Sequence, residues 1–429
     1  MKLHNIAFYF SAFFMAGIAL ASLNVTVWAT LFLTVIISAI ILYKKERALA
    51  ALVFAVLAGF SYFYFHAAVK VENIPFGEIE TYRGVVSGHP ESRLKSQKLN
   101  IELQPPYGGE VAVYTDLYPV YEYGDLIEFT GTINKSPSGR INISLPRSIA
   151  LISHDHGNKV KQFIFSIRDR LVENLQAALP SHQAALMSGI LLGERAEFTD
   201  EFKEAMKASG TTHIVALSGF NISIIGMLVS NMLSSFMSRR RSFYVTLVFI
   251  ILFVLMTGAE ASVVRAAIMG IIMLLAAQTS RIYNFRNAIT LTAFLMLLLD
   301  PTLLVFDVGF QLSFTALLGI IYLEPVFKKY SPLKKEPGFL SWRDNLRQTT
   351  AAQLAVLPIV LTTFGSFNPL SLIANVLILE FIPATMLFGF LTSVAGLISF
   401  NLSLVFSLPT GALLAYETFI INLFSFNWL

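Results

Sequence analysis

The 429 residues include no cysteine, which removes disulfides, thiolate nucleophiles and cysteine-ligated zinc or iron–sulfur sites. Charge is scarce as well. Asp, Glu, Lys and Arg make up 14% of the chain, against about 25% in an average soluble domain. No Walker A, H-E-x-x-H, G-x-S-x-G or protein-kinase pattern occurs, so any energy for work comes from a partner. Low-complexity tracts and repeats of solenoid or propeller period are missing too. Together these absences exclude a disordered chain, a collagen and a disulfide-stapled secreted module. What is present is apolar: 55% of residues are hydrophobic, and mean hydropathy is +0.65.

The apolar residues fall in long uncharged runs. Three open the chain, at 6–23, 25–42 and 48–68, and eight follow later, at 211–236, 243–259, 261–280, 288–304, 308–326, 348–364, 370–398 and 402–426. Most approach the roughly 20 residues that carry an α-helix across a bilayer core. The runs predict a polytopic α-helical membrane protein with about 10–11 transmembrane helices. No small-x-small site ends the first run and two more spans follow at once, so it reads as a retained span rather than a signal peptide. Pro383 interrupts 370–398 and predicts a kinked or broken helix there.

Between 76 and 153 the pattern changes to short alternating segments: 79–88, 97–104, 110–117, 126–133 and 141–152. Turn signals at His89-Pro90-Glu91, Pro105 to Gly109, Tyr123-Gly124-Asp125 and Ser136 to Gly139 separate them. Five short strands predict a small OB-like β-barrel inserted between membrane segments. Residues 159–178 repeat Val160, Phe163, Ile164, Ile167, Leu171, Val172 and Leu175 at helical spacing against a Lys/Arg/Glu face. Such a helix fits the membrane interface or the underside of the barrel. Four regions result: 1–70 with three membrane helices, 76–153 the barrel, 159–208 amphipathic or interfacial helices, and 209–429 a second membrane block.

Basic loops orient the chain. Lys44 to Arg47, Arg239 to Arg241, Arg281 to Arg286 and Lys328 to Arg347 carry most of the membrane-proximal positive charge. The positive-inside rule puts all four in the cytoplasm, and counting spans from an inside N-terminus satisfies all four at once. The expected address is the cell (inner or plasma) membrane, with the barrel extracytoplasmic.

Several blocks resemble a known family. Residues 189–195 read G-I-L-L-G-E-R, followed by an acidic helix and then His213-Ile214-Val215-Ala216-Leu217-Ser218-Gly219-Phe220-Asn221. Val264 to Ala267 with Arg281, Asp300-Pro301, Phe306 to Phe314 (FDVGFQLSF), Ala352 to Pro358 (AQLAVLP), Asn368-Pro369 and Ala374-Asn375 keep the same order. The pattern resembles the ComEC competence family, the membrane channel of bacterial DNA uptake, over nearly the whole chain. The resemblance implies translocation of single-stranded DNA into the cytoplasm during natural transformation. It also implies a separate DNA receptor and nuclease, and a cytoplasmic ATPase or helicase. Family members often continue into a metallo-β-lactamase-like domain; no such domain is expected here, nor any enzymatic activity or cofactor.

With that resemblance, His213, Ser218, Asn221, Arg265 and Gln311 are the candidates for lining a DNA path, and Glu260, Glu194, Arg195, Gln353 and Glu380 follow them. Each has a plainer role open to it. Arg265 and Glu260 can form an ion pair that fixes helix packing, or Arg265 can meet passing phosphates. Ser218 and Asn221 can be polar glue between helices. Glu194-Arg195 fits a helix-terminal salt bridge or a gate, and Glu380 fits a proton relay or an interfacial carboxylate. Barrel residues 76–152 hold seven basic and nine acidic side chains, a balance that does not favour DNA. A local patch at Arg93, Lys95 and Lys98, with Tyr82, Tyr107 and Tyr114 as stacking platforms, is the candidate DNA contact. His154-Asp155-His156 has a ligand spacing but no companion cluster, so no metal site is expected. A secondary transporter of a small anionic or lipidic solute, or an envelope scaffold, is the alternative to a DNA channel.

Overall fold

The computed structural model describes residues 3–69, 73–92, 96–134, 142–194, 198–215, 222, 226, 229–230, 232–259, 261–278, 284–330, 342–365 and 368–425. The alternating segments form β1 (Ile79–Val86), β2 (Glu91–Ser92), β3 (Ser96–Leu103), β4 (Glu110–Asp116), β5 (Leu126–Asn134) and β6 (Asn142–Ser153). β1 pairs with both β5 and β3, which closes a five-stranded ring in the order β1-β3-β4-β6-β5. The β4–β6 pairing is parallel and the others are antiparallel. The two-residue β2, which the sequence pattern does not signal, pairs antiparallel with the start of β3. Alternate residues point inward, so Tyr82, Val86, Leu99, Ile101, Val113, Ile127, Phe129 and Ile133 fill the interior. The inserted domain is therefore an OB-like barrel with its own hydrophobic core.

Three of the helices expose large apolar side chains and bury small polar ones, two of them alongside apolar residues. In helix Val27–Tyr43 the buried residues are Thr30, Thr34 and Ser38, while Trp28, Phe32, Ile37 and Ile40 are exposed. Helix Arg239–Met256 buries Ser242 and Thr246 and exposes Tyr244, Val248 and Leu252. Helix Phe400–Ser425 buries Ser403, Ser407, Thr410 and Glu417 and exposes Leu404, Val405, Leu408 and Phe419. Large apolar side chains outside and small polar ones inside are what a hydrocarbon solvent selects.

Among the described residues, four helical segments are long and apolar enough to cross a membrane: Asn5–Ser22, Arg47–His66, Val308–Tyr330 and Phe400–Ser425. A fifth forms if the pair Ser371–Leu379 and Ile382–Gly396, bent by 51°, is one span. This break lies at the expected Pro383, which occupies the first turn of the second helix, where a missing N–H costs nothing. Val27–Tyr43, Ala261–Ala276 and Phe285–Leu299 are shorter apolar helices. Runs 243–259 and 348–364 lie in Arg239–Met256 and Trp342–Phe364, both of which start with charged side chains. Of run 211–236, residues 216–221, 223–225, 227–228 and 231 lie outside the described residues. The chain is a multi-pass helical membrane protein.

Two membrane cores hold these helices. One joins the first helix to the second block through Phe14, Ile18, Ile289, Ala293, Met296, Phe310 and Phe314. The other centres on helix Ser181–Leu192 and reaches Ile378, Ile382, Met386, Leu414 and Ile421. The closest backbone approach is between helices Leu3–Ser22 and Ala55–Val69. A Cβ on Gly17 would lie 1.9 Å from the Val56 carbonyl oxygen, and one on Gly59 would lie 2.0 Å from that of Phe14.

Only glycine fits either position, and the side chain of a leucine has nowhere to go. Gly17→Leu and Gly59→Leu are expected to cost about 1–3 kcal/mol or more by overpacking. Ala58→Leu, on the exposed face of the same helix, should be silent. Folded yield and melting temperature of the detergent-purified protein check the difference.

Candidate functional site

Helix Ser181–Leu192 is buried over every residue from Ala184 to Leu192. It stops at Gly193, whose φ of +77° is the left-handed helix cap that glycine favours. This turn points the next residue, Glu194, back toward helix Lys159–Ala178. Arg168 Nη2 donates to the Glu194 carboxylate at 2.5 Å, with side chains 9% and 18% exposed. The charge partner of Glu194 is thus Arg168, from 26 residues upstream; Arg195 lies outside the described residues.

Helix Lys159–Ala178 joins the two parts of the molecule. Asn158 caps it, accepting from the Val160 amide at 2.8 Å. At the barrel end, the Phe165 ring meets His89 at 5.4 Å and Tyr123 at 5.1 Å. There His89 Nε2 also contacts Asp169 at 2.8 Å, and the Asn158 amide donates to the Tyr123 hydroxyl at 3.0 Å. At the membrane end, Asn174 Nδ2 donates to the Ser393 carbonyl at 3.0 Å, and Ser393 Oγ donates to the Leu171 carbonyl at 2.9 Å. The helix thus touches the barrel at one end and the membrane helices at the other.

The path candidates fall into two groups. Gln353 Nε2 donates to Ser371 Oγ at 3.3 Å. Ser371 also closes on Gly210, where a Cβ would lie 2.4 Å from the Ser371 Cβ. Asn368 Nδ2 reinforces this junction by donating to the Ala208 carbonyl at 2.6 Å. His213, exposed on the short helix Thr212–Val215, follows directly. Ser218 and Asn221 fall outside the described residues.

The second group surrounds Phe314. Arg265 is 6% exposed, and its guanidinium carbon lies 5.8 Å from the Phe314 ring centroid. Glu260, its expected partner, is outside the described residues. Gln311 donates its amide hydrogens to the carbonyls of Leu304 at 3.2 Å and Val305 at 2.7 Å. Asp307 caps the same helix by accepting from the Phe310 amide at 2.5 Å. In this group Gln311 and Asp307 build a turn, and Arg265 carries the buried charge.

Glu380 sits at the 51° break and accepts from Asn345 Nδ2 at 2.5 Å. Nearby, Arg347 is buried between Glu324, at 3.7 Å, and Asp344.

Of the barrel patch at Arg93, Lys95 and Lys98, the described residues include Lys98. Lys98 Nζ is bound to Glu91 at 2.7 Å, and Arg93 and Lys95 lie outside the described residues. Tyr82 is not a stacking platform. It is wholly buried between Tyr107, at 4.9 Å, and Phe129, at 5.4 Å, and burial pushes its hydroxyl above the usual tyrosine range. His154 Nδ1 lies 2.7 Å from Asp125, and that hydrogen bond raises the imidazole above its ordinary value. His156 Nε2 meets Ser153 Oγ at 2.7 Å. Both histidines of the H-x-H pair therefore have structural partners at the end of β6. Among the described residues no three His, Asp or Glu side chains converge as a metal site.

Sequence reasoning passed over Arg168 and Glu417, both buried in the membrane domain. For Glu417 a signal exists: Ser403, Ser407, Thr410, Leu414, Glu417 and Ile421 recur at steps of three and four along an apolar helix, which marks one buried face.

The Arg168–Glu194 contact ties the helix under the barrel to the turn of the motif helix. Removing one partner leaves the other charge buried. Glu194→Ala is expected to lower stability by about 3–5 kcal/mol, whereas Arg168→Met with Glu194→Leu should cost far less. Thermal unfolding of the purified single and double variants measures the difference.

A family model described as Competence protein matches residues 190–427. The chain is 30% identical over 247 residues to ComE operon protein 3 of Bacillus subtilis (strain 168), which covers 57% of this chain. It spans 30% of the length of that relative. No solved structure matches. The match begins one residue after Gly189 and contains the Gly193–Glu194 turn, Arg265, Gln311, Gln353 and the broken helix. By that match over more than half its length, the chain belongs to the competence protein family.

Proposed function

We propose that this protein is the membrane channel for DNA uptake, carrying single-stranded DNA into the cytoplasm during natural transformation. The observation that carries the reading is where the family match falls. It covers the membrane helices with polar buried faces rather than the barrel. Arg265, the path candidate most deeply buried among the described residues, belongs to that stretch. A guanidinium there offers a fixed, always cationic fork to a phosphate. His213, Gln353 and the pair Ser218 and Asn221, which lie outside the described residues, extend the same path, and Gln311 holds its wall in shape. Lipid covers the exposed apolar faces, and a cytoplasmic ATPase or helicase pulls the strand. A separate receptor and nuclease prepare it. No catalytic residue is assigned.

The basic loops orient the channel. Arg239 to Arg241 and the stretch from Lys328 to Arg347 face the cytoplasm, and the barrel faces away from it. The barrel's acidic balance suits a docking surface over the channel mouth better than a DNA groove. The broken helix with Glu380 at its bend favours a second reading, a transporter with a midplane site for a small anionic solute.

Topology is tested in this cysteine-free chain by placing single cysteines. Leu145→Cys, at an exposed position of β6, should react with a membrane-impermeant maleimide in intact cells, or in spheroplasts where an outer membrane is present. Arg240→Cys should react only after lysis. The reverse pattern overturns the orientation.

Transport is tested at Arg265. Arg265→Gln should abolish uptake of labelled DNA with normal membrane levels, and Arg265→Lys should retain part of it, because lysine keeps the charge and loses the fork. Rescue by Glu260→Gln together with Arg265→Gln would make the pair structural. Unchanged DNA uptake in a deletion strain, with loss of a solute flux, would favour the transporter.

A further inference from the structure

Glu417 lies in the last described helix, Phe400–Ser425, and is 1% exposed. The same helix contributes Leu414, Ile420 and Ile421 to an apolar core that also holds Ile378, Ile382 and Met386. Thr385 Oγ1, from the helix after the break, donates to Glu417 Oε1 at 2.6 Å. That hydroxyl has one hydrogen and a second acceptor in reach, the Phe381 carbonyl at 3.2 Å. Glu417 Oε2 is buried without a hydrogen-bond partner among the described residues.

Among the described residues, the helices packed on this one place no cation beside Glu417. Helices Ser371–Leu379 and Ile382–Gly396 contain no titratable side chain. On the helix of Glu417 itself the other titratable group is Tyr416, whose hydroxyl donates to the Leu377 carbonyl at 3.3 Å. Helix Ser181–Leu192 contributes His182, whose ring packs on Phe202 at 4.4 Å. Helix Asp200–Ala208 turns Phe202 and Met206 inward. Its Asp200, Glu201, Glu204 and Lys207 are exposed, and Lys203 reaches Asp200 at 3.6 Å. On helix Lys159–Ala178, Arg168 is held by Glu194 and Asp169 by His89, while Lys159, Lys161, Arg170 and Glu173 are exposed.

An ionised carboxylate with one hydroxyl donor and no counter-charge is costly in such a place, whereas a neutral acid is not. We propose that Glu417 is a proton-binding site inside the membrane domain, loaded as a carboxylic acid while the broken helix and the last helix are packed together, and unloaded when they part. In the loaded state the acid proton occupies the carboxyl group, and Thr385 bridges it to the Phe381 carbonyl. On opening, the carboxyl O–H bond breaks, the proton passes to an entering water to give hydronium, and the electron pair stays on the carboxylate. Entering water then solvates the anion. Use of this exchange during DNA passage rests on the channel reading; the proton-binding site itself does not.

The test uses the full chain in lipid nanodiscs. Infrared spectra at neutral pH should contain the carbonyl stretch of a neutral carboxylic acid that shifts in D2O and is lost in E417Q. Absence of that band overturns the site. In cells, E417Q should reach normal membrane levels, since the amide keeps the contact with Thr385, yet lose DNA uptake. E417D should retain the band at a shifted position and part of the uptake. Full uptake by E417Q means that the proton never leaves, and overturns the exchange. If E417Q does not accumulate, the shifted band of E417D decides in its place. A deletion strain with normal DNA uptake would defeat the channel reading alone and leave the infrared result to stand or fall by itself.

Discussion

Hydrocarbon as solvent is the constraint on which most of this structure depends. Moving a leucine from lipid into a helix contact gains little, because both places are apolar. The helices must instead be held by close backbone approach and by polar groups that find partners. Gly17 and Gly59 bring two helices to within van der Waals contact of each other's carbonyls. Ser38 donates to the Ala50 carbonyl at 3.2 Å, Thr392 meets Thr410 at 3.0 Å, and Ser403 donates to the Thr392 carbonyl at 2.8 Å. The barrel, in water, obeys the reverse rule and buries Tyr82, Ile101, Val113 and Phe129.

The helix Lys159–Ala178 has to satisfy both regimes. Its first half presents Phe165 and Asp169 to the barrel through His89 and Tyr123. Its second half buries Leu171 and Leu175 among membrane helices. Arg168 lies at the changeover, which is where a long side chain can keep its charge paired while its stem is buried. The partner it finds, Glu194, belongs to the turn that ends the motif helix. Barrel and membrane domain are thereby joined through one rigid element, with no long flexible linker among the described residues between them.

Charge in the membrane domain is sparse and each instance has a distinct setting. Arg347 is enclosed by two carboxylates, and Glu380 has an amide donor at the helix break. Arg265 lies over an aromatic ring, and Glu417 has one hydroxyl. The first two are compensated, as groups near a helix terminus can be. Glu417 Oε2 has no hydrogen-bond partner among the described residues, and unspent capacity in a buried place is where function concentrates.

Much of the architecture was legible because its signals are local. Apolar runs mark helices, alternation marks strands, and the five strand positions follow within a residue or two from turn chemistry at Tyr123-Gly124-Asp125 and its equivalents. The break near Pro383 is legible for the same reason, since proline acts on its own turn. Partners were not legible. Glu194 sits beside Arg195 in sequence and pairs with Arg168. Tyr82 has a sequence fit for stacking and lies in the barrel core. Gln311, read as a pore side chain, is bound to the carbonyls of its own preceding turn. The sequence by itself determined which segments meet lipid and which meet water, because that depends on side-chain polarity averaged over a few turns. Only the tertiary structure decided which charges are paired and which are left over, because pairing depends on directions and distances between residues far apart in the chain.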